Sequence, residues 1–311
     1  DRGWALWQAG EAEGAIVLYA EGAQMARVAG DTGRLRIALG NLGLAYSHLG
    51  RHAEALSTYE EYLTLLADDP AEAADAHLNA GSALVSLGRA EEAEAHFDSA
   101  ERLAEGAGLI EPRVVVSLNR GVLRERAGDT DAAFERYWQA FDLAEESKDA
   151  DLVGRTTTML GRAYTRAGDH AHACDCFGEA VRAFRHHGDA VRLADALHLH
   201  GAALQHVGLI DAALETWEAE EAILRERGDG LALGECIFRK ALMLAAQSTS
   251  PGVELHFVEA EDLFRAANAT DRLAEAYQAH AQLLRDRSRD NEAAERLQKA
   301  FDALAAAPRP A

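Results

Sequence analysis

Several features that would narrow the class of protein are scarce or missing in this chain of 311 residues. Its three cysteines, Cys174, Cys176 and Cys236, are too few for a disulfide framework and fit a reducing compartment. No run of about 18 uninterrupted apolar residues occurs, and no basic-then-apolar leader opens the chain. We therefore expect a soluble, cytoplasmic protein.

Positively charged residues are also few relative to negatively charged ones. The chain carries 31 Lys and Arg against 52 Asp and Glu, a formal net charge of -21, and its sequence pI is about 5.0. Binding to phosphate backbones and anionic lipid relies on Lys and Arg that displace counterions. We therefore expect neither a nucleic acid nor a membrane as a partner of this segment.

Proline and aromatic residues are few: five prolines, and an aromatic content of 6%. Because Ala, Glu and Arg are abundant and 48% of residues are hydrophobic, composition favours an all-α fold with enough apolar side chains for a core. No Gly-x-Ser-x-Gly turn, phosphate-binding glycine loop or His-Glu-x-x-His helix is present. We expect no enzymatic activity and no cofactor.

What the chain does have is a repeat. A small residue recurs at steps of 40, 38, 40, 40, 40, 40 and 40 residues: Gly3, Gly43, Gly81, Gly121, Gly161, Gly201, Ala241 and Ala281. Seven residues after each comes a glycine or serine: Gly10, Gly50, Gly88, Gly128, Gly168, Gly208, Ser248 and Ser288. Glycine ends a helix readily because it adopts the left-handed conformation without a Cβ penalty. Each unit is therefore predicted to begin with a helix that ends in a tight turn.

A second helix is predicted after that turn. A small residue lies five positions after the turn residue, and a large residue lies four positions after the small one, as in Ala55 with Tyr59 and Ala173 with Phe177. Residues i and i+4 share a helical face, so the small side chain permits close approach and the large one fills the space beside it. A second turn closes the unit and often carries an aspartate that can cap the next helix: Asp31, Asp69, Asp149, Asp189 and Asp229.

This spacing resembles the tetratricopeptide repeat over essentially the whole chain. The segments "NLGLAYSHLGRHAEALSTY" (41–59) and "MLGRAYTRAGDHAHACDCF" (159–177) match it best. The 40-residue period exceeds the family's common 34, and the usual proline at the repeat end is missing. The resemblance implies a right-handed superhelical solenoid of about eight helix-turn-helix repeats. Similar long repeats occur in kinesin light chains, spindle-orientation adaptors and bacterial signal-sensing regulators.

The repeat register predicts a single solenoid domain over the whole chain. Its expected repeats are 1–30, 31–68, 69–108, 109–148, 149–188, 189–228, 229–268 and 269–305, with a frayed tail at 306–311. The first repeat lacks the front half of its first helix, which we expect to expose apolar surface near Trp4 and Trp7. We interpret the chain as the C-terminal part of a longer protein with an effector domain upstream.

The resemblance also implies where a ligand binds. In this family the first helices line a concave groove, faced by positions 2, 5, 6, 9, 12 and 13 of each repeat when the small residue is position 8. Position 6 holds Asn41, Asn79 and Asn119 in consecutive repeats. In relatives that bind extended peptides, asparagine there often holds the peptide backbone, and an amide offers both a donor and an acceptor. We expect peptide contact; the alternative is that asparagine merely tolerates an exposed position.

Arginines at groove positions form a second candidate site. Arg155, Arg162 and Arg166 occupy positions 2, 9 and 13 of the fifth repeat, on one helical face, and Arg126 occupies position 13 of the fourth. Such a basic patch suits a carboxylate, phosphate or acidic side chain through charge-assisted hydrogen bonds. The alternative is a solvated face balanced by neighbouring carboxylates.

Two other arginines of the same region have a different expected role. Arg120 and Arg124 fall at positions 7 and 11, where sister repeats carry Leu160 and Tyr164. We therefore expect their stems to pack at the helix interface while their heads reach Glu or Asp at its edge.

Histidines and cysteines cluster in the fifth and sixth repeats. His198 and His206, at groove positions 5 and 13, are expected to neighbour the basic patch. Two pairs with a spacing of four residues, His170 with Cys174 and His172 with Cys176, could share a metal. Because no fourfold ligand set is evident, we favour a packed or solvated cluster and expect no metal site.

These observations predict a module that binds a protein or an extended, partly acidic peptide in its groove. The resemblance extends this to the sensor or regulatory domain of a bacterial cytoplasmic regulator, of the signal-transducing ATPase type, that acts on an upstream effector domain. The alternative is a scaffold that assembles complexes or oligomerises without a peptide ligand. A metal site at the His/Cys cluster is a third hypothesis.

Overall fold

The computed structural model describes residues 2–8, 10–247 and 252–306, and within these ranges each regular element is an α-helix. The predicted turn residue Ser248 and the predicted tail residues 307–311 lie outside them. The helices are α1 (Arg2–Gln8), α2 (Ala12–Ala29), α3 (Thr32–His48), α4 (His52–Leu63), α5 (Pro70–Ser86), α6 (Ala90–Ala107), α7 (Ile110–Arg126), α8 (Thr130–Ser147), α9 (Ala150–Arg166), α10 (His170–His187), α11 (Ala190–His206), α12 (Ile210–Arg227), α13 (Gly230–Ala246), α14 (Val253–Ala266), α15 (Thr270–Asp286) and α16 (Asp290–Ala306). The all-α prediction is confirmed.

These helices belong to two compact units, Asp1–Leu160 and Gly161–Ala311. The boundary between the units lies within α9. In the first unit, consecutive helices from α1 to α8 pack on one another, and α5 also contacts α7, the first helix of the next repeat. In the second unit, consecutive helices pack in the same way, and α13 contacts α15. Odd-numbered helices are thus the first helices of their repeats, and even-numbered helices are the second. None of the described helices is long and apolar enough to cross a membrane.

The turns between helices follow the sequence prediction. Gly128 follows α7 with φ 79°, in the left-handed region, and its N–H donates to the Glu125 carbonyl at 3.0 Å. Ser288 adopts the same conformation, with φ 62°, without being glycine. The predicted aspartate caps are also confirmed, since a side-chain oxygen of each accepts a backbone N–H of the following helix: Asp31, Asp69, Asp149, Asp189 and Asp229. Asp129 and Asp169 cap second helices in the same way.

In most helix pairs a ring is pressed against a small residue. Tyr137 of α8 is completely buried, and a Cβ on Gly121 of α7 would lie only 2.6 Å from its Cδ1. A Cβ on Gly161 would meet Cε1 of Phe177 at the same distance. Since interiors are close-packed, only a residue without a side chain permits this approach.

Ion pairs hold consecutive repeats together at position 7. Arg120 of α7 is buried and reaches three carboxylates of α6: Glu94 at 3.0 Å, Asp98 at 2.5 Å and Glu101 at 2.6 Å. Arg124 reaches Glu94 at 2.9 Å. The predicted interface role of these two arginines is therefore confirmed. Glu101 lies 19 residues before Arg120. In the second unit the same spacing pairs Lys240 with Glu221 at 2.8 Å and His280 with Glu261 at 2.7 Å.

The close approach in the helix pairs makes a stability prediction. Gly121→Ala should lower the free energy of unfolding by about 1–3 kcal/mol, because the methyl group overlaps the fully buried ring of Tyr137. Gly22→Ala, in the middle of α2 with open space around its Cβ direction, is the control. That change should instead raise stability by up to about 1 kcal/mol through helix propensity. Urea denaturation followed by circular dichroism measures both, and equal stabilisation by the two substitutions would contradict the packing described.

Candidate functional site

A cleft of about 330 Å³ lies in the first unit where three consecutive first helices meet. Its lining residues are Asp75, Leu78 and Asn79 of α5, Glu111, Pro112 and Val115 of α7, and Arg155 of α9. The repeat register explains the location, because Asp75, Val115 and Arg155 all occupy position 2 of their repeats. The volume is at the lower end of the range for ligand pockets and suits a side chain or a short segment.

The guanidinium of Arg155 is engaged within this cleft. Its Nη1 lies 3.1 Å from Oε1 of Glu111 and 3.6 Å from Oδ2 of Asp151. The Arg155 and Asp151 side chains are only 28% and 17% exposed, whereas Glu111 is 65% exposed at the cleft mouth. Arg155 therefore bridges α7 and the first turn of α9 through carboxylates of the protein itself.

Asp75 stands opposite these groups without a compensating cation. Among the described residues it takes part in no hydrogen bond or ion pair, although it lines the cleft. Partial desolvation by the cleft walls raises the pKa of its carboxyl, and the negative charge of Glu111 raises it further. The cleft thus presents an exposed carboxyl whose pKa its surroundings raise and which has no ion-pair partner among the described residues.

The three predicted asparagines lie in different surroundings. Asn79 is half-buried in the cleft, and no hydrogen bond among the described residues involves its amide. Asn119 donates from Nδ2 to Oγ of Ser82 at 3.0 Å. Asn41 lines a second cleft of about 260 Å³, together with Trp4, Trp7, Tyr19, Leu44, Ala45 and His48. Of the predicted residues, the first cleft brings together Asn79 and Arg155.

The predicted arginine patch has members in both units. In the first unit, Arg126 is exposed and its Nη1 donates to the Val85 carbonyl oxygen near the end of α5. In the second unit, Arg162 and Arg166 are exposed near the end of α9. Arg162 forms no ion pair or hydrogen bond within the described part of the chain. Convergence of the four arginines on one ligand stays a prediction.

The two predicted groove histidines have partners within the second unit. Nδ1 of His198 lies 3.5 Å from Oε1 of Glu220, which also pairs with Arg239 at 3.2 Å. The ring of His206 stacks on His170 with centroids 4.3 Å apart and planes 10° from parallel. Their expected proximity to the basic patch is likewise untested.

The His/Cys cluster consists of packed and capping groups. His172 Nδ1 lies 2.6 Å from Asp169, the residue that caps its helix, and its ring stacks on Tyr164. Burial raises the pKa of both cluster thiols, that of Cys176 to about 11, so they stay protonated near neutral pH. Residues 2–8, 10–247 and 252–306 contain no group of three or more His, Cys, Asp or Glu that could hold a metal ion.

Sequence reasoning missed most of the lining of the first cleft. Asp75 and Val115 share position 2 with Arg155, so the register carried the signal for them. Glu111 lies three residues before position 1 of its repeat and had no such signal. Its place in the cleft depends on how α7 lies beside α5 and α9.

The unpaired carboxyl in the cleft predicts an unusual stability effect. Asp75→Asn should raise the free energy of unfolding at pH 7 by about 0.5 kcal/mol, because a neutral isostere removes the cost of partly desolvating the carboxylate and its repulsion from Glu111. Since folding raises the pKa of this carboxyl, its destabilising effect is full above the folded-state pKa and disappears below about pH 3.8, the ordinary value. Denaturation at pH 7 and pH 3 measures the difference, with Glu135→Gln, an exposed carboxylate of α8, as the control. Destabilisation by Asp75→Asn at pH 7 would contradict this description.

Comparison with known proteins gives both sequence and structural matches. Family models described as tetratricopeptide repeat match residues 38–74, 74–106 and 113–186. Tetratricopeptide repeat protein 29 of Trypanosoma brucei brucei is 37% identical over 71 residues, which cover 23% of this chain and 15% of that protein. The match therefore spans only a small part of that relative.

Solved structures extend the likeness of fold over most of the chain. A signal transduction ATPase with numerous domains and a tetratricopeptide repeat sensor, from Pyrococcus horikoshii, matches with a TM-score of 0.71 and 12% identity, over 86% of this chain and 41% of that one. The quorum sensor NprR from B. thuringiensis matches with a TM-score of 0.59 and 13% identity, over 93% of this chain and 82% of that one. A Rap protein complexed with competence and sporulation factor matches with a TM-score of 0.56 and 14% identity, over 97% of this chain and 95% of that one. Together with the residue spacing and the helix pairs, these matches show that the chain carries tetratricopeptide repeats.

Proposed function

We propose that this chain is a protein-interaction module that binds an extended segment of a protein or peptide in the cleft of α5, α7 and α9. The observation that carries the proposal is the half-buried Asn79 amide, which lines that cleft and has no hydrogen-bond partner among the described residues. Tetratricopeptide repeats are generally non-enzymatic interaction modules, which supports binding rather than catalysis.

The cleft suits an extended main chain. An asparagine amide both donates and accepts, so Asn79 can satisfy one N–H and one C=O of a segment that has no partner strand. Leu78, Pro112 and Val115 supply apolar surface on which a ligand side chain can be buried. Because the lining comes from three successive first helices, a bound segment would run across the helices rather than along one of them.

We further propose that the module is the sensor or regulatory region of a bacterial cytoplasmic signalling or transcription regulator. Support comes from the likeness of fold to a tetratricopeptide repeat sensor, to a quorum sensor and to a Rap protein complexed with a factor. Ligand binding would regulate an effector domain in the same protein by favouring one arrangement of the repeats.

An acidic group of the ligand is proposed to bind in the second unit. Arg162 is exposed and lacks an ion pair or hydrogen bond within the described ranges, and Arg166 follows it four residues later on the same helical face. Two guanidinium groups so placed can fork onto a carboxylate or phosphate.

A scaffold that assembles complexes is the second candidate. The observation that favours it is exposed apolar surface on α1, α2 and α3, where Trp4, Met25, Val28 and Ile37 are 51%, 72%, 81% and 63% exposed. Patches of this kind mark protein-protein contacts. In this alternative the partner would contact that surface and leave the cleft empty.

Selection from a displayed library of random seven-residue peptides tests the proposal. Peptides selected by the wild-type protein should bind the Asn79→Ala variant about five- to tenfold more weakly, as expected for the loss of one or two hydrogen bonds. Asn291→Ala, on the exposed surface of α16, is the matched control and should bind as wild type. Fluorescence anisotropy gives the dissociation constants.

The same peptides separate the two candidate functions. The double substitution Arg162→Glu and Arg166→Glu should weaken the binding of those selected peptides that contain Asp or Glu. Equal binding by the wild type and by Asn79→Ala, combined with loss of binding in Ile37→Glu, would favour the scaffold and contradict the cleft.

A further inference from the structure

We propose that the cleft of α5, α7 and α9 receives a cationic side chain, lysine or arginine, of the bound segment. The inference rests on the proposed function, since it names the chemistry of the ligand at the same cleft. It differs from the sequence-based expectation, in which Arg155 receives an acidic group.

The first argument is the balance of charge around the cleft. Two carboxylates, those of Asp75 and Glu111, line the cleft together with the guanidinium of Arg155. Glu111 and Asp151 already share that guanidinium, at 3.1 and 3.6 Å. Asp75 takes part in no ion pair or hydrogen bond among the described residues, and a ligand can supply a cation to it.

The second argument is the state of Asp75. Asp75 lines the cleft without an ion pair among the described residues, and partial desolvation and the negative charge of Glu111 both raise the pKa of its carboxyl. A cation placed between Asp75 and Glu111 would remove the repulsion and form charge-assisted hydrogen bonds with both. An acidic ligand would add to the repulsion.

The third argument is the shape and lining of the cleft. Lysine and arginine bury an aliphatic stem on apolar surface while the charged head reaches a polar rim. Leu78, Pro112 and Val115 provide such surface, and Asp75 and Glu111 provide the carboxylates. The volume of about 330 Å³ suits one long side chain. Asn79 remains available to the main chain of the same residue.

Arg155 then acts as a positioning residue. Its pair with Glu111 holds that exposed carboxylate of α7 against α9, at the mouth of the cleft. For an acidic ligand to bind Arg155, the ligand would have to displace Glu111 and separate that carboxylate from the Arg155 guanidinium, which costs free energy. The cationic ligand needs no such displacement.

The test compares peptides selected by three proteins from the same random seven-residue library. Wild type should enrich Lys or Arg severalfold at one peptide position, Asp75→Asn should lose that enrichment, and Glu135→Gln, the same change of charge on α8, should keep it. In the best selected peptide, changing that Lys or Arg to Gln should raise the dissociation constant about fivefold with wild type, the size of one partly exposed ion pair. The same change should have little effect with Asp75→Asn, which a double-mutant cycle measures.

The possible outcomes distinguish this inference from the proposed function. One outcome is that peptides are selected whose binding depends on Asn79 but which show no preference for Lys or Arg, or prefer Asp and Glu. In that case the inference of a cationic side chain is wrong, and the proposal that a segment binds in the cleft is retained. If no peptide is selected, or if Asn79→Ala binds as tightly as wild type, the proposed function fails and the inference fails with it. Because Asp75→Asn is expected to be at least as stable as wild type, its loss of selectivity would not reflect misfolding.

Discussion

The structure depends on the close approach of the two helices of each repeat, where a small residue faces a large buried side chain. At Gly43 and Gly161 a Cβ would lie 2.5 and 2.6 Å from the rings of Tyr59 and Phe177, closer than atoms in real structures approach. With the helices held at this distance, the ring is completely enclosed and its apolar area is removed from water. The turn glycine seven residues later fixes where the first helix ends.

The proposed binding surface follows from the same constraint. Because the packing is repeated at steps of about 40 residues, equivalent positions of successive first helices come side by side, as Asp75, Val115 and Arg155 do in the cleft. Position 7 faces the preceding repeat, so Arg120 is buried among carboxylates of α6. In the first unit, Arg120 is thus buried within an interface, whereas the carboxylates of Asp75 and Glu111 lie at the cleft. Such an arrangement favours a partner that brings positive charge to the cleft.

The fold was predictable from the sequence because its signals are local. Glycine at a fixed distance before an aromatic residue, aspartate before a helix and the spacing of Arg120 are properties of one or two adjacent helices. The cleft was less predictable, since it depends on how α5, α7 and α9 lie beside one another. Asn79 and Arg155 were found from the register, whereas Glu111 lies outside the repeat positions. For Arg155 the structure shows the alternative in which neighbouring carboxylates balance its charge, but Glu111 could not be assigned from the sequence because it lies 44 residues away.

Amide hydrogen exchange with and without a selected peptide tests most directly whether the first helices of the first unit are the binding surface. Bound peptide should slow exchange in the first halves of α5, α7 and α9, with α6 and α8 unchanged as internal references. Protection confined to α2 and α3, or to the second helices, would contradict binding in the cleft.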